Sequence, residues 1–377
     1  MERKIYVIPY GDGDVQTAWQ KAPSDVQTFL SRQFNVECKY EFVKKGTASS
    51  KGGGWGARFR NVIERVAFYV KCLFSDFHIE RGAVFFMQHP YNWFVGGRGE
   101  PMLSFRLMKR LLHKRNAAFV FLIHDVNELR ATDNSQLERK VTDTIIENAD
   151  YIIVHNKRML QWFSDRGVPS NKLVSLEIFD YDSKYDPIVN IPFEKAVTVA
   201  GALSPEKAGY LRRAFEVSGI DWHLYGKCFE AGKITASNVH YHGVFHSDEI
   251  PKHLKHGFGL IWDGDSLEGC TGVNGNYLRY NNPHKLSLYL SAGLPVIIWD
   301  EAAEADLVRE NKLGYTIKSL QELPTLLSTM SQEEYANIHK NVLAFSRKLR
   351  EGCFINHAMQ EIFDRLNEVG SSRFTEV

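Results

Sequence analysis

The residues best suited to chemistry lie between Gly269 and Asp300, in GCTGVNGNYLRYNNPHKLSLYLSAGLPVIIWD. A Gly-rich loop containing Gly272 comes first. The polar run Asn282-Pro283-His284-Lys285 follows, then a helix-like run and the buried-strand sequence Pro295-Val296-Ile297-Ile298. A loop rich in backbone N–H groups, a fixed cation and a helix N-terminus together make a seat for a diphosphate. Pro283 suits a first helical turn, so Asn282 is expected to cap that helix, with Lys285 inside the turn. A lysine there can give phosphate a charge-assisted hydrogen bond of about 1.5–3 kcal/mol. The bland reading is a cap beside a surface lysine; the adjacent Gly-rich loop favours the ligand site.

Other candidates follow other strand-like runs. After AVTVAGAL, Ser204 can cap a helix begun by Pro205. Lys207 then falls in the first turn, a poor place for a cation unless an anion is near. At the end of HLYG, Gly226 lets a planar ligand approach, with Tyr225 alongside; Phe245 either meets a base edge or belongs to the core. In the first half, Gln88-His89-Pro90-Tyr91-Asn92 and His124-Asp125 end apolar runs, and Asp12-Gly13-Asp14 follows the first. His89, Asp125, Asp12 and Asp14 are candidates for the base that takes a proton from an acceptor hydroxyl. For each, a turn cap or strand-end hydrogen bond is the competing role.

Strand-like and helix-like runs alternate to position these residues. IYVIP (5–9), ECKYEFV (37–43), AVFFMQ (83–88), FVFLIH (119–124) and YIIV (151–154) read as strands. Helices are expected near 18–34, 57–74, 101–115, 135–148 and 156–166. The stretch 179–195 has weak periodicity and two prolines, as a linker would. Strands then resume at 196–201, 223–226, 239–243, 257–262, 295–299 and 314–317. Apolar strands alternating with helices predict parallel sheets covered on both faces. Two such units predict two doubly wound, Rossmann-like domains facing a cleft, 1–185 on the acceptor side and 186–377 on the donor side. The helical tail from about 331 to 368 is assigned to neither by its sequence.

Composition narrows the class. The chain has 377 residues, 44% of them hydrophobic, with 46 basic and 45 acidic side chains. That near balance argues against a nucleic-acid binder. No run approaches the ~18 apolar residues of a membrane span, and the first residues lack a signal peptide's apolar core. Five scattered cysteines with no CxxC pair suggest neither disulfides nor zinc, and a reducing cytoplasm. The basic amphipathic stretches 101–116 and 57–74 suit an anionic membrane surface, or else sheet-covering helices with solvated basic faces.

RYNNPHKLSLYLSAGLPVI, with GCTGVNGNY, VAGALSPEKAGYL and YHGVF, resembles the bacterial two-domain GT-B glycosyltransferases. The likeness is greatest to β-1,6-galactofuranosyltransferases and to the streptococcal glucosyltransferases acting on O-linked GlcNAc of serine-rich-repeat adhesins. HDVNELR at 124–130 and the segment holding Thr17 and Lys21 extend it into the first half. The resemblance implies a UDP-sugar donor, a glycan or glycosylated acceptor, lipid-linked in some settings, and no metal cofactor. It implies Asn282 and Lys285 at the UDP and Thr17 reaching the donor from across the cleft; homo-oligomers and work at the inner membrane face also fit it. Many GT-B enzymes place a ribose-binding Glu where this chain has Leu288, so the ribose ligand stays unassigned. Two rivals stand beside this reading. A GT-A-type transferase would hold a divalent cation on Asp263 and Asp265, which end the apolar strand GFGLIW. A non-catalytic glycosyltransferase-like partner would have no need of Lys285.

Overall fold

The computed structural model describes residues 3–8, 18–39, 79–90, 101–130, 135–230 and 236–372. The described residues form two six-stranded, wholly parallel sheets. The first comprises β1 (Ile5–Val7), β2 (Val36–Cys38), β3 (Val84–His89), β4 (Ala118–Ile123), β5 (Tyr151–Val154) and β6 (Leu173–Ser175). The second comprises β7 (Ala196–Ala202), β8 (Asp221–Lys227), β9 (Val239–Tyr241), β10 (Phe258–Ile261), β11 (Val296–Trp299) and β12 (Gly314–Ile317). The expected strands match these except at their ends, and β6, only three residues long at a sheet edge, was not expected. The predicted helix 57–74 lies outside the described residues.

The central strands are apolar on both faces because helices cover both faces: every residue of β4, β5, β10 and β11 is buried. The helices that matter for the site are α1 (Ala18–Gln33), α2 (Pro101–Lys114), α3 (Ser135–Asn148) and α4 (Lys157–Asp165) in the first unit. In the second they are α5 (Pro205–Ala208), α6 (Gly272–Tyr277), α7 (His284–Ser291), α8 (Gln332–Arg350) and α9 (Cys353–Ser372). The strand order of the second sheet, β12-β11-β10-β7-β8-β9, reverses between β7 and β10. A reversal of that kind opens a crevice at the carboxyl ends of the two strands, where open α/β sheets bind ligands.

The tail resolves into two allegiances. In α8, Tyr335, Val342 and Leu349 join the core of the second unit. In α9, Ile355, Met359 and Ile362 join the core beneath the first sheet with Phe29 and Val120. The boundary placing all of 186–377 in one unit is therefore corrected at Gly352: the last helix returns to the first unit. Asp180 fixes that return by accepting the Phe354 and Ile355 N–H groups at the start of α9 (3.2 and 2.7 Å). On the other side of the first sheet, Arg106 and Lys109 of α2 are ion-paired to Glu147 and Asp150. Part of the basic face of α2 is thus neutralised within the protein. Among the described residues no helix is long and apolar enough to cross a membrane.

Candidate active site

Helix α7 sets the position of Lys285. From Leu286 to Ser291 it is buried all round, as expected of a helix wedged inside a core. Gly259 of β10 makes the wedge possible, because a Cβ there would sit 2.4 Å from the Tyr289 ring. The Tyr289 hydroxyl accepts the Ala200 N–H of β7 at 2.7 Å, which pins α7 to both strands of the switch point. Lys285 lies four residues earlier and so on the same face, above the end of β10. Its Nζ donates to the Trp262 carbonyl (3.1 Å) and to Asp263 Oδ1 (2.6 Å). Two of the three ammonium protons are placed by these bonds.

The loops after β7 and β10 interlock around this pair. Gly264 N donates to the Lys207 carbonyl (2.8 Å) and Tyr210 N to the Gly264 carbonyl (3.0 Å). Ser204 holds the N-cap position of α5 and Pro205 its first turn, although the Ser204 side chain makes no capping bond. Gly272, the first residue of α6, is exposed, and nothing lies within 4 Å of where its Cβ would stand. The two acids of the Asp263-Gly264-Asp265 triplet take separate partners: Asp263 takes Lys285, and Asp265 Oδ1 accepts the Thr271 hydroxyl at 2.6 Å.

Other expected contacts are placed differently. The N-cap of α7 is Pro283, not Asn282, and it has no side-chain capping bond. Asn282 is buried and faces the first unit. Its N–H donates to His155 Nδ1 (2.9 Å), and its amide donates to the Glu177 carbonyl (3.3 Å). Its Oδ1 has no partner among the described residues. His284 packs on Tyr181, ring centroids 5.1 Å apart, and burial with nearby Lys21 lowers its pKa to about 3. Tyr225 is corrected from ligand contact to core: it is 2% exposed, stacks on His242 and donates to the His253 carbonyl at 3.0 Å. Phe245 is half-buried, its ring 4.1 Å from that of His253. Gly226 makes its close approach to neighbouring backbone. At φ 145° a Cβ would lie 1.7 Å from the Gly201 carbonyl oxygen, so β7 and β8 end in bare backbone.

Across the crevice stand the residues of the first unit. Asp125, just past β4, is ion-paired to Arg130 at 3.1 Å. It also hydrogen-bonds the hydroxyl of Tyr277, which belongs to α6 of the second unit. The same hydroxyl accepts the Val126 N–H at 2.8 Å, and Arg130 lies 5.7 Å over the Tyr277 ring. Burial raises the Asp125 pKa, while the charges of Arg130 and Lys207 oppose the rise. Lys207 is thus brought within electrostatic reach of Asp125, and the two units meet there. His89 ends β3 before a cis bond to Pro90; it is half-buried, and burial lowers its pKa to about 4. Asp12, Asp14, Thr17 and Tyr91 lie outside the described residues.

Further contacts, within the first unit and between the units, involve residues mostly not singled out from sequence. The Phe179 ring stacks on His124 (5.0 Å) and meets His155 edge-on (5.2 Å). Asn156 Nδ2 donates to Glu304 Oε1 at 2.7 Å and to the Tyr280 carbonyl at 3.1 Å. No local motif marks these contacts: the Asn156 bonds join positions more than 100 residues apart in the chain, and Phe179 lies 55 and 24 residues from His124 and His155. His155 and Glu304, almost unexposed, stand out only as polar residues inside apolar runs.

Comparison with known proteins meets this geometry. Residues 75–178 match the family described as Glucosyltransferase 3-like, N-terminal domain, and residues 197–362 match its C-terminal domain. The β-1,6-galactofuranosyltransferase WbbI of Escherichia coli (strain K12) is 36% identical over 271 residues, 70% of this chain and 76% of the relative. Glucosyltransferase 3 of Streptococcus gordonii is 28% identical over 240 residues, 63% of this chain and 68% of the relative. Anabaena Alr3699/HepE, solved with UDP and glucose, shares the fold at a TM-score of 0.55 and 13% identity, over 97% of this chain and 100% of that one. AviGT4, a glycosyltransferase involved in avilamycin A biosynthesis, does so at 0.54 and 13%, over 97% and 98%.

Proposed function

This chain belongs to the glucosyltransferase 3-like family and has the GT-B fold, and on that premise we propose that it moves a hexosyl group from a UDP-sugar to a carbohydrate acceptor. The group is galactofuranose or glucose, as the names of the relatives indicate, and the acceptor is a growing surface glycan or glycoprotein. The observation that carries the reading is Lys285 at the β7/β10 switch point. It is held by two hydrogen bonds with a third proton left for a diphosphate oxygen. The donor diphosphate lies over the ends of β7 and β10, against Lys285 and the Thr271-Gly272 turn, with Lys207 adding charge from the facing loop. The nucleoside extends over the bare backbone at Gly201 and Gly226, beside Phe245.

UDP leaves as Lys285 and Lys207 balance the charge developing on its phosphate. Asp125 is the group we assign to take the acceptor proton: it faces the donor unit, and burial raises its basicity. Asn282 acts from behind, orienting the start of α7 through His155. A divalent cation is dispensable in this scheme, because Lys285 already neutralises Asp263. The enzyme works in the cytoplasm, where Arg110 and Lys114 on the exposed face of α2 suit contact with an anionic membrane carrying lipid-linked acceptors.

Titration calorimetry with UDP, followed by a screen of UDP release across UDP-galactofuranose, UDP-glucose and other nucleotide sugars, tests the proposal. One UDP site per chain and turnover confined to UDP-hexoses are expected. No heat at millimolar UDP would replace it with the non-catalytic partner.

A further inference from the structure

A second polar cluster lies in the same unit, on the sheet face that carries Tyr225. Among the described residues, His223, His242 and His256 form one group, each offering one ring nitrogen, with these three nitrogens within 4.8 Å of one another. They come from β8, from the turn after β9 and from the approach to β10. Sequence spacing hides them, because parallel-strand pairing and not a local motif brings them together. The His223 Nδ1 and His242 Nε2 atoms share a hydrogen bond at 2.9 Å, whose proton a bound ion would replace. Two nitrogens each bound at about 2.0–2.1 Å to one ion have that separation at an angle of roughly 90°. Tetrahedral ligation needs nitrogens about 3.4 Å apart, each aimed at the ion in its ring plane; His256 lies stacked on His223 with centroids 3.8 Å apart, so its ring has to turn out of that stack as it closes by about 1.4 Å.

The surroundings resemble a built metal site. His256 Nδ1 meets Glu194 Oε2 at 2.8 Å. Its Nε2 is left as the ligating atom, and a carboxylate orients the ring, the usual outer support of a ligating histidine. His240 stacks on His223 with centroids 4.8 Å apart, and its Nε2 lies 3.5 Å from Asp221. Tyr225 stacks on His242, holding that ring from the other side. The Thr198 hydroxyl anchors the His256 carbonyl at 2.8 Å. His223 is buried.

We propose that His223, His242 and His256 bind one transition-metal ion of the zinc class, with water completing the coordination. Three imidazoles select borderline metals and not magnesium or manganese, which prefer oxygen. His242 immediately precedes the Gly243–Phe245 turn that borders the proposed nucleoside path. The ion therefore ties that turn to the 253–256 segment and rigidifies it. This role is separate from the displacement at the diphosphate.

Zinc titration against a chromophoric chelator tests the site, using tag-free full-length protein without UDP. One saturable equivalent is expected, and cobalt should give the visible bands of a tetrahedral or five-coordinate histidine site. His223→Ala and His256→Ala should each weaken zinc binding at least 100-fold. Glu194→Gln, at a partly exposed carboxylate, should weaken it about 10-fold or more without threatening the fold. Circular dichroism of the metal-free variants controls for folding. No saturable zinc binding by the parent protein overturns the proposal, as does binding that survives both His223→Ala and Glu194→Gln. Neither result bears on UDP binding, which calorimetry reads separately.

Discussion

Asp263 and Asp125 occupy equivalent places, each just past the carboxyl end of a fully buried strand, yet their partners set them apart. Asp263 is 5% exposed and neutralised by Lys285 from its own unit. Asp125 is held by Arg130 from its own unit and Tyr277 from the other. In the proposed mechanism the first pair is a fixed cation with a proton to spare for an anion. The second is a carboxylate whose basicity burial raises, placed where the units meet. A strand-end aspartate thus gives the site's location, and the group opposite it gives its work.

The sharpest way to break the comparison is at Lys285. Lys285→Ala should lower kcat/KM by about 10²–10³-fold, the usual cost of removing one fixed donor to a developing anion. It should also weaken UDP binding by calorimetry. The substitution leaves Asp263 buried without its cation, so stability falls too, by on the order of 3 kcal/mol. Lys285→Ala with Asp263→Ala separates the effects: thermal stability should recover while activity and UDP affinity do not. Recovery of activity in the double variant would reduce Lys285 to a structural partner.

Asp125→Asn probes the other half. As the base, Asp125 should give a loss of about 10²-fold or more in kcat, with the KM for the donor little changed. Tyr277→Phe removes the inter-unit hydrogen bond but keeps the carboxylate. It should cost about 1 kcal/mol of stability and far less in kcat. If both variants lose stability alike and retain turnover, Asp125 is a clasp and nothing more.

The two sheets, their order of appearance and the place of Lys285 at a helix start were legible because they rest on local signals. FVFLI, YIIV and PVIIW are apolar over whole strands, and Lys285 stands one residue inside a helix announced by Pro283. The contacts that join the units were not legible. Asn282 reads as a cap by residue type, but Pro283 takes the cap and turns Asn282 onto His155. Tyr225 reads as a ligand contact at a strand end, but the strand's alternation buries it against His242. The return of α9 to the first sheet depends on Asp180 meeting helix N–H groups far away in sequence.

Glu304 extends the comparison to a carboxyl that has no ion-pair partner among the described residues. It is 1% exposed, and among the described residues its carboxyl bonds only the Asn156 amide across the units; burial raises its pKa from 4.5 to about 8. A raised folded-state value means that stability is complete below pH 4.5 and is lost as pH climbs toward about 8, because the unfolded chain ionises first. Glu304→Gln should therefore be more stable than the parent at pH 8, by on the order of 2 kcal/mol. The gain should vanish near pH 4, as read by thermal melts across that range. A parent protein whose melting is flat from pH 5 to 8 would place a charge-compensating group near Glu304.

The smallest expected effect is that of chelation, and it bears on how Asp263 is used. With Lys285 on Asp263 and Thr271 on Asp265, the triplet does not present two bare carboxylates to one ion. Excess EDTA should therefore change turnover less than about 2-fold once the His223 site is removed by His256→Ala, since zinc lost from that site is then not a variable. Magnesium and manganese bind oxygen ligands and zinc accepts imidazole, so the metal that restores activity identifies the site being emptied. Loss in EDTA that manganese reverses and zinc does not would assign the ion to Asp263 and Asp265. In that event Lys285 must swing away from Asp263 when the donor binds, and the contrast between a charge-neutralised Asp263 and a basic Asp125 would hold only in the unliganded enzyme.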